Sequence, residues 1–395
     1  MGINPRIEIN LDKIRHNVKV LKGLYGKKGI KITGVVKGVF ANHKVAKVLI
    51  ESGIESLADS KISNIEKMKK ANLKAIFILL RTPAMSEIQK VVEFADISMN
   101  TEIEVIRALS AEAVKQKKTH EIILMVEMGD LREGTLLKDV PAIIREVLTL
   151  PCIKVSGIGT NLTCYGGVIP TEKNMDVFST FVKNIKRQFG LPLTYISGGN
   201  SANYNWFMNT ADVGEVNNIR LGEAIFLGCE TVNGKTIPKL FSDAFCFIAE
   251  VIESKLKPSV PYGQRGKNAF GEVLSFQDRG IIRRAIVGVG RQDVLVSGLT
   301  PILPLEILGS SSDHIILDAK KVHLKVGNEV AFSLSYGALL TAMTSPSINK
   351  ICISQMRESV EDHSDSPTLK NFLTSIQSKN ALLEPVQNAL ILNRK

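Results

Sequence analysis

Residues 31–38 read KITGVVKG, an apolar run rich in β-branched residues that ends beside a lysine. The stretch HKVAKVLIESG at 43–53 follows with helical spacing, and the short strand candidate ESLAD comes at 55–59. A strand, a helix and a second strand in this order form a unit whose two strands lie parallel. Residues 31–59 therefore predict the first repeat of a parallel α/β fold.

The same alternation continues to about residue 230. Further strand candidates are AIFILL (75–80), ADISMN (95–100), EIILMVEM (121–128), IKVSGIG (153–159), LTYIS (193–197) and NNIR (217–220). Helical patterns lie between them, at 86–95, 140–150 and 175–190. About eight β–α units in about 220 residues are typical of a (β/α)8 TIM-type barrel. A doubly wound open sheet is the alternative that this pattern leaves open.

A different pattern begins near residue 236. Short strand candidates recur between Gly, Pro, Asp and Ser residues, without a long helical pattern, at FCFIAEVIES, IIRRAIVGVG, PLEILG, SDHIILDA, KVHLKV and NEVAFSLS. Such a series predicts an antiparallel β domain. We therefore predict an α/β barrel over 1–235, a β domain over 236–360 and an accessory C-terminal tail over 361–395.

Composition narrows the class of protein. The formal net charge is +11, but the lysines are scattered and there is only one tryptophan, so a nucleic-acid partner is not predicted. The longest apolar run, AIFILL, is too short to cross a membrane, and the N-terminus carries charges where a signal peptide is apolar. We expect a cytoplasmic protein. Its five widely spaced cysteines predict neither a disulfide framework nor a metal site.

Lys37 ends the first predicted barrel strand. Burying an ammonium group is costly unless it is paired or its pKa falls. Active sites of parallel barrels lie at the C-terminal ends of the strands, where a lysine can form a Schiff base with an aldehyde cofactor. A lysine that merely reaches solvent from a strand end is the alternative.

Two turns near the end of the barrel predict an anion site. The sequence GGNS (198–201) allows close approach of backbone N–H groups and adds the hydroxyl of Ser201. Arg220, Gly222 and Glu223 follow the last strand candidate, in the region where such barrels bind phosphate. An ordinary turn and a salt bridge of Arg220 are the alternatives. Arg132, in EMGDLREG, is a candidate fork for a substrate carboxylate or a solvated ion pair.

Together these segments resemble the alanine racemase family of fold-type III pyridoxal-phosphate enzymes, and within it the ornithine racemase branch. The resemblance covers about residues 6 to 345. Six motifs carry it, in chain order: GVVKGVFANH with Lys37 and His43, EMGDLREG with Arg132, NSAN with Ser201, RLG with Arg220 and Gly222, VPYG with Tyr262, and SLSYGALL with Tyr336.

The resemblance implies pyridoxal 5′-phosphate as cofactor, and no metal. The implied cofactor-binding residues are Lys37, Asn161, Ser201, Arg220, Gly222, Glu223 and Tyr336. In such a racemase Lys37 and Tyr262 act on opposite faces of the substrate α-carbon. Tyr262 would come from the partner subunit of a homodimer.

Four departures from the family pattern argue against alanine as the preferred substrate. One is the β-domain segment VGVGRQDV, which lacks the tyrosine of the family's G-Y-A-D-G motif. Ala41 stands where the family has a phosphate-binding tyrosine, and Met125 where it has an often carbamylated lysine. Asn161 replaces the histidine beside the cofactor ring. The resemblance therefore favours a free basic amino acid, ornithine or lysine, as substrate.

For such a substrate, Arg132 is expected to hold the α-carboxylate. Asp130, Glu133 and Asp313 are candidates to meet the distal ammonium. The alternative is that they are surface acids without a substrate contact.

Three other functions stay open on the sequence. They are a pyridoxal-phosphate-dependent decarboxylase of a basic amino acid, a non-catalytic carrier of that cofactor, and a barrel that binds another phosphate ligand. Decarboxylases that resemble this fold place a glutamate at the pyridine nitrogen, where this sequence offers Arg220. The arginine favours a racemase.

Overall fold

The computed structural model describes residues 4–354. The chain divides into a barrel unit, Asn10–Phe245, and a β unit that contains residues 4–9 and 246–354 of the described chain. The predicted tail over 361–395 lies outside the described residues, and the predicted boundaries at 235 and 360 stay predictions. Among residues 4–354, no helix has both the length and the apolar character needed to cross a membrane.

The chain enters through strand β1 (Arg6–Asn10), which joins the sheet of the β unit. Eight further strands then close into a parallel barrel in sequence order, which confirms the predicted fold. They are β2 (Lys31–Val35), β3 (Ser56–Asp59), β4 (Ile76–Leu79), β5 (Ile97–Asn100), β6 (His120–Val126), β7 (Ile153–Thr160), β8 (Tyr195–Ser197) and β9 (Asn218–Leu221).

Helices fill the connections of the barrel. They are α1 (Leu11–Gly26), α2 (His43–Glu51), α3 (Ile62–Lys70), α4 (Ile88–Phe94), α5 (Ile103–Lys115), α6 (Val140–Val147), α7 (Glu172–Phe189), α8 (Tyr204–Asn209) and α9 (Glu223–Leu227). α7 shows how local sequence sets the bounds. Thr171 and Asn174 form a capping box at its start, and Gly190 ends it in the left-handed conformation with φ 65°.

The interior of the barrel explains why its strands are apolar runs. Val35, Ala58, Ile78 and Ile123, from four different strands, pack in one buried cluster together with Met125. Parallel strands covered by helices on the outside are buried on both faces, so they lack an alternating polar face. Met125, at the position of the family's modified lysine, is therefore a core residue here.

The β unit contains a mainly antiparallel sheet, as predicted. Its strands after β1 are β10 (Phe245–Pro258), β11 (Ile281–Val287), β12 (Leu299–Pro301), β13 (Glu306–Ser310), β14 (Ile315–Asp318), β15 (Glu329–Leu334) and β16 (Asn349–Ile353). The order across the sheet is β12-β15-β10-β11-β14-β13, and β1 pairs with both β10 and β16.

Two local predictions for the β unit are wrong. KVHLKV (321–326) forms no strand, because the N–H of Val322 turns back to the Ala319 carbonyl at 2.8 Å. A helix that the sequence did not predict, α10 (Tyr336–Thr344), follows β15. Ser335 caps it by accepting a hydrogen bond from the N–H of Ala338 at 3.3 Å, and its apolar residues pack at helical spacing.

Candidate active site

The predicted site residues of the barrel unit gather at the C-terminal ends of its strands. Lys37 follows β2, Arg132 follows β6, Asn161 follows β7, Ser201 follows β8, and Arg220 lies near the end of β9. Closure of the barrel through pairing of β2 with β9 brings Thr33 level with Arg220. The first and last strands of the barrel therefore supply adjacent parts of one site.

Lys37 lies two residues beyond the end of β2, within a short 3-10 turn, and not at the strand end as the sequence predicted. The strand stops earlier because Val36 leaves the extended conformation, with φ −101° and ψ 4°. Phe40 and Ala41 follow with φ 52° and 49°, values uncommon for residues with side chains. Such local strain is often found at functional sites.

The amine of Lys37 is half-buried. Burial lowers its pKa from the ordinary lysine value, the charge of Arg132 lowers it further, and the negative charge of Asp59 acts in the opposite direction. The amine therefore gives up its proton more readily than an exposed lysine would.

Arg220 is buried, with 5% of its surface exposed. Its Nη1 donates to the Ser197 hydroxyl at 2.6 Å, and its Nη2 donates to the Thr160 carbonyl at 2.9 Å and to Asn161 Oδ1 at 3.1 Å. Burial lowers the pKa of Arg220 to about 10, and the charge of Arg132 acts the same way. The guanidinium thus stays cationic at neutral pH, and Nε takes part in none of these three bonds.

Asn161 presents an unused donor beside Arg220. Its Oδ1 accepts from Arg220 Nη2 and, at 3.2 Å, from Asn200 Nδ2. Because both partners can only donate, the orientation of the amide is fixed. Asn161 Nδ2 and the neighbouring Thr160 hydroxyl are buried without a hydrogen-bond partner among the described residues. Buried polar groups are rarely left unpaired, so these two atoms indicate a place for a polar ligand.

The turn after β8 carries Ser201, a residue of the predicted anion site. Ser201 is buried, and its hydroxyl accepts a hydrogen bond from the N–H of Ala224 at 3.2 Å. The hydroxyl proton is then left for another acceptor. A Cβ on Gly222 would lie 2.9 Å from the Val35 carbonyl, so only glycine fits this approach of β9 to β2.

Arg132 is engaged by two neighbours. Its guanidinium forms a two-pronged ion pair with Glu133, and Nη1 donates to the Cys164 sulfur at 2.9 Å. Burial opposes protonation, but the hydrogen bonds and charge of Glu133 outweigh it and raise the pKa of Arg132. Its side chain is still 30% exposed, so a carboxylate has access to it.

Comparison with known proteins decides the family. The model of the alanine racemase N-terminal domain matches residues 9–229, more than half of the chain. An ornithine racemase from Acetoanaerobium sticklandii is 41% identical over 351 residues, which cover 88% of this chain and 99% of the relative. The chain belongs to the alanine racemase family.

Two further comparisons place this family member more closely. A lysine racemase from Thermotoga maritima is 37% identical, over 88% of this chain and 98% of the relative. The structure of an alanine racemase from Bacillus anthracis shares the fold with a TM-score of 0.71, at 17% identity over 90% of this chain and 97% of that chain. The predicted ornithine racemase branch and the predicted class of activity, an amino-acid racemase, are thereby confirmed.

Three predicted site residues of this family member lie in the β unit. Tyr262 lies in the connection between β10 and β11 and is 91% exposed. Tyr336 begins α10. Asp313 is exposed, pairs with His314 Nδ1 at 2.8 Å and accepts a hydrogen bond from the Ser311 hydroxyl at 3.0 Å. Their roles toward the barrel site stay predictions.

Glu223 is an acidic residue among the predicted cofactor-binding residues. Burial raises the pKa of its carboxyl group, and hydrogen bonds from Thr231 and Cys229 offset this only in part. A raised pKa makes the carboxyl group easier to protonate than an ordinary glutamate, which lessens its repulsion toward an anion. Its predicted place in a cofactor site is therefore compatible with its chemistry.

Asp130, a predicted candidate for the substrate's distal ammonium, makes structural contacts in this structure, and its role toward a substrate stays a prediction. Its carboxylate is buried and accepts backbone N–H groups of Tyr165 at 2.9 Å, Cys164 at 3.2 Å and Val168 at 3.3 Å. It thus ties the loop after β7 to the loop after β6. A carboxylate that is already shared by three N–H groups is poorly suited to hold a substrate ammonium.

Sequence reasoning missed three polar residues near Lys37 and Arg220. They are Asp59, Ser197 and Asn218. Asp59 is the last residue of a strand candidate, the position predicted for Lys37. The rule that active sites lie at the C-terminal ends of barrel strands would therefore have found it. Ser197 and Asn218 gave no sequence signal, since their contacts depend on which strands pair.

Proposed function

We propose that this chain is a pyridoxal-phosphate-dependent racemase that interconverts the L and D forms of a free basic amino acid, ornithine or lysine. The observation that supports it best is the half-buried Lys37, whose lowered pKa reflects burial and the charges of Arg132 and Arg220. A nucleophilic amine beside two cations suits a cofactor with an aldehyde and a phosphate, and a substrate with a carboxylate.

The residues present fit this cofactor. The hydroxyl proton of Ser201 is available to a phosphate oxygen. The unpartnered donor Asn161 Nδ2 and the Thr160 hydroxyl offer hydrogen bonds to ring substituents. Arg220 is the residue we assign to the pyridine nitrogen.

When bound, the cofactor supplies an electron sink that makes the α-proton of the substrate acidic. Lys37 anchors it and, with its amine free, takes or returns the α-proton on one face of the substrate. Arg132 holds the α-carboxylate, so the α-carbon stays within reach of Nζ. The lowered pKa of Lys37 favours the neutral amine that this role needs.

Tyr262 is proposed to act on the opposite face, delivered by the partner subunit of a homodimer. Its high exposure within its own unit is compatible with burial against a second copy. A tyrosine needs a nearby cation to work as a base near neutral pH, because its ordinary pKa is about 10.

Arg220 favours racemisation over other outcomes. An arginine does not hand over its proton, so the atom that Arg220 faces stays unprotonated. Electron withdrawal is then weaker, which favours return of the proton to the α-carbon. An acid at this position could donate a proton to the cofactor and would favour decarboxylation or transamination instead.

The activity is tested by incubating the cofactor-loaded protein with L-ornithine, L-lysine or L-alanine and resolving the products by chiral chromatography. We expect D-ornithine or D-lysine to form faster than D-alanine. Lys37→Ala should lower the rate at least about 10³-fold, in the range of a lost acid/base group. Lys31→Ala, at the exposed opposite end of β2, is the control and should stay active. Release of carbon dioxide would indicate a decarboxylase, and cofactor binding without turnover a carrier.

Substrate choice is tested with Glu133→Gln and Asp313→Asn. If these carboxylates meet the distal ammonium, each change should lower the ratio of ornithine to alanine activity about tenfold. A loss of this size corresponds to one hydrogen bond to a charged group. Glu121→Gln, at the opposite end of β6, is the matched control. An unchanged ratio in both variants would show that the preference for a basic substrate arises elsewhere.

A further inference from the structure

Arg220 ends a chain of buried polar side chains that crosses the inside of the barrel. Its Nη1 donates to Ser197 Oγ at 2.6 Å, and Ser197 Oγ donates to Asn218 Oδ1 at 2.9 Å. Asn218 Nδ2 donates to Thr33 Oγ1 at 2.9 Å, and Thr33 Oγ1 lies 2.8 Å from Ser56 Oγ. We infer that Ser197, Asn218 and Thr33 are positioning residues that fix the guanidinium of Arg220.

The barrel geometry makes this chain possible. Asn218 and Arg220 are two apart on β9, so they share one face of the strand. Ser197 is level with Asn218, while Thr33 is level with both Arg220 and Ser56. Four neighbouring strands thus contribute to one polar seam, although most of the barrel interior is apolar.

The direction of the chain is fixed from its charged end. A guanidinium only donates, so the Ser197 hydroxyl must accept from Arg220. Its own hydrogen is then free for a hydrogen bond to Asn218 Oδ1. The amide of Asn218 is held in one orientation, because its Nδ2 also faces the Lys31 carbonyl at 3.5 Å, an atom that only accepts. Reversing this amide would leave the hydroxyl proton of Ser197 without an acceptor.

Burial makes each link costly to lose. Ser197 and Thr33 are 0% exposed and Asn218 is 4% exposed, so bulk water does not replace a missing partner. An unsatisfied buried donor on a charged group costs more than an ordinary hydrogen bond. Without Ser197, the guanidinium would keep only its Nη2 contacts to Thr160 and Asn161 and would be free to tilt.

The functional consequence rests on the proposed function, in which Arg220 faces the pyridine nitrogen. A tilted guanidinium would let that nitrogen be protonated by water. Proton return to the α-carbon would then compete less well with transamination. Loss of the seam should therefore change the ratio of racemisation to transamination. We expect only a small change in the free energy of unfolding of the protein.

The test compares Ser197→Ala and Ser197→Thr in the full-length, cofactor-loaded protein. The measurements are racemisation of ornithine, accumulation of pyridoxamine phosphate per turnover, and the affinity of the cofactor-free protein for pyridoxal phosphate. Ser197→Ala should raise transamination per turnover about tenfold and weaken cofactor affinity about tenfold, as expected for a lost bond to a buried charge. Ser197→Thr keeps the hydroxyl and should restore both.

Ser156→Ala is the matched control, because Ser156 is also a fully buried barrel serine, whose hydroxyl donates to the Ile122 carbonyl at 3.2 Å. Equal partition in Ser197→Ala and Ser156→Ala would overturn the inference. If Ser197→Ala does not fold, the same measurements are made on Thr33→Val. This change removes the hydroxyl that accepts from Asn218 Nδ2 but keeps the shape of the side chain. A wild-type protein that binds no cofactor would instead refute the proposed function.

Discussion

Lys37 is surrounded by charges of both signs, and this balance sets its chemistry. Arg132 and Arg220 favour the neutral amine, while the carboxylate of Asp59 favours the ammonium. Asp59 is 0% exposed and is held by the N–H of Lys61 at 2.8 Å and by Asn64 Nδ2 at 3.1 Å. The buried carboxylate of Asp59 therefore offsets part of the repulsion that Arg132 and Arg220 exert on a protonated Lys37.

Replacement of Asp59 should therefore shift the pH dependence of the reaction. Cys164 and Asp59 both raise the pKa of Lys37, and Asp59→Asn removes the second of these two contributions, so that pKa falls further. Lys37 acts as a base only after losing its proton, so the acid-side limb of the pH profile of kcat should move to lower pH. Asp96→Asn is the control, because Asp96 lies at the opposite end of the barrel, where it accepts from the N–H of Phe77 at 2.8 Å. An unmoved limb in Asp59→Asn would contradict this role.

At the scale of elements, two loops at the active-site end are tied together by one side chain. Burial by itself would raise the pKa of Asp130, but the N–H groups of Tyr165, Cys164 and Val168 outweigh it, and the pKa lies below its ordinary value. The hydrogen bonds between the two loops therefore favour the ionised carboxylate. Since Arg132 follows two residues later, this tie also fixes the candidate carboxylate-binding arginine.

The tie should loosen in acid. A group whose pKa is depressed in the folded state stabilises it above the ordinary carboxyl pKa, and this contribution is lost as pH falls through the depressed value. Amide hydrogen exchange at 164–168 should thus speed up in the acid range. Asp130→Asn should speed it about tenfold at neutral pH and remove the acid dependence.

Asp139→Asn is the control for this measurement, because Asp139 is exposed and makes no capping hydrogen bond from its side chain. Unchanged exchange at 164–168 in Asp130→Asn would show that the loops are held by other contacts.

The sequence predicted elements well where burial alone decides them. All eight barrel strands were found. Five of them lie in β-rich runs, as expected for strands buried on both faces, and the weaker candidates at 55–59, 95–100 and 217–220 fit the repeating β–α alternation. α10 was missed, since its apolar stretch after Ser335 also suits a strand, and only the cap at Ser335 distinguishes the two. Residues 321–326 alternate like a strand but pair with no strand of residues 4–354.

At the scale of the whole molecule, closure of the barrel makes the candidate site possible. In an open sheet the first and last strands need not meet, and Lys37 and Arg220 would belong to separate places. In this structure β2 pairs with β9 from Lys31–Asn218 to Gly34–Leu221. The sequence left the open sheet as an alternative, because periodicity reports on single elements and not on which strands meet. Ser197 and Asn218 escaped notice for the same reason.

Covalent attachment of the cofactor to Lys37 is the central claim, and it is measured by chemical trapping. The protein is loaded with pyridoxal phosphate, reduced with borohydride, digested and mapped by mass spectrometry. We expect a single modified lysine, Lys37, and no modification there in Lys37→Ala. Stable attachment at a different lysine, or none at all in wild-type protein that has been shown to be folded, would contradict the claim.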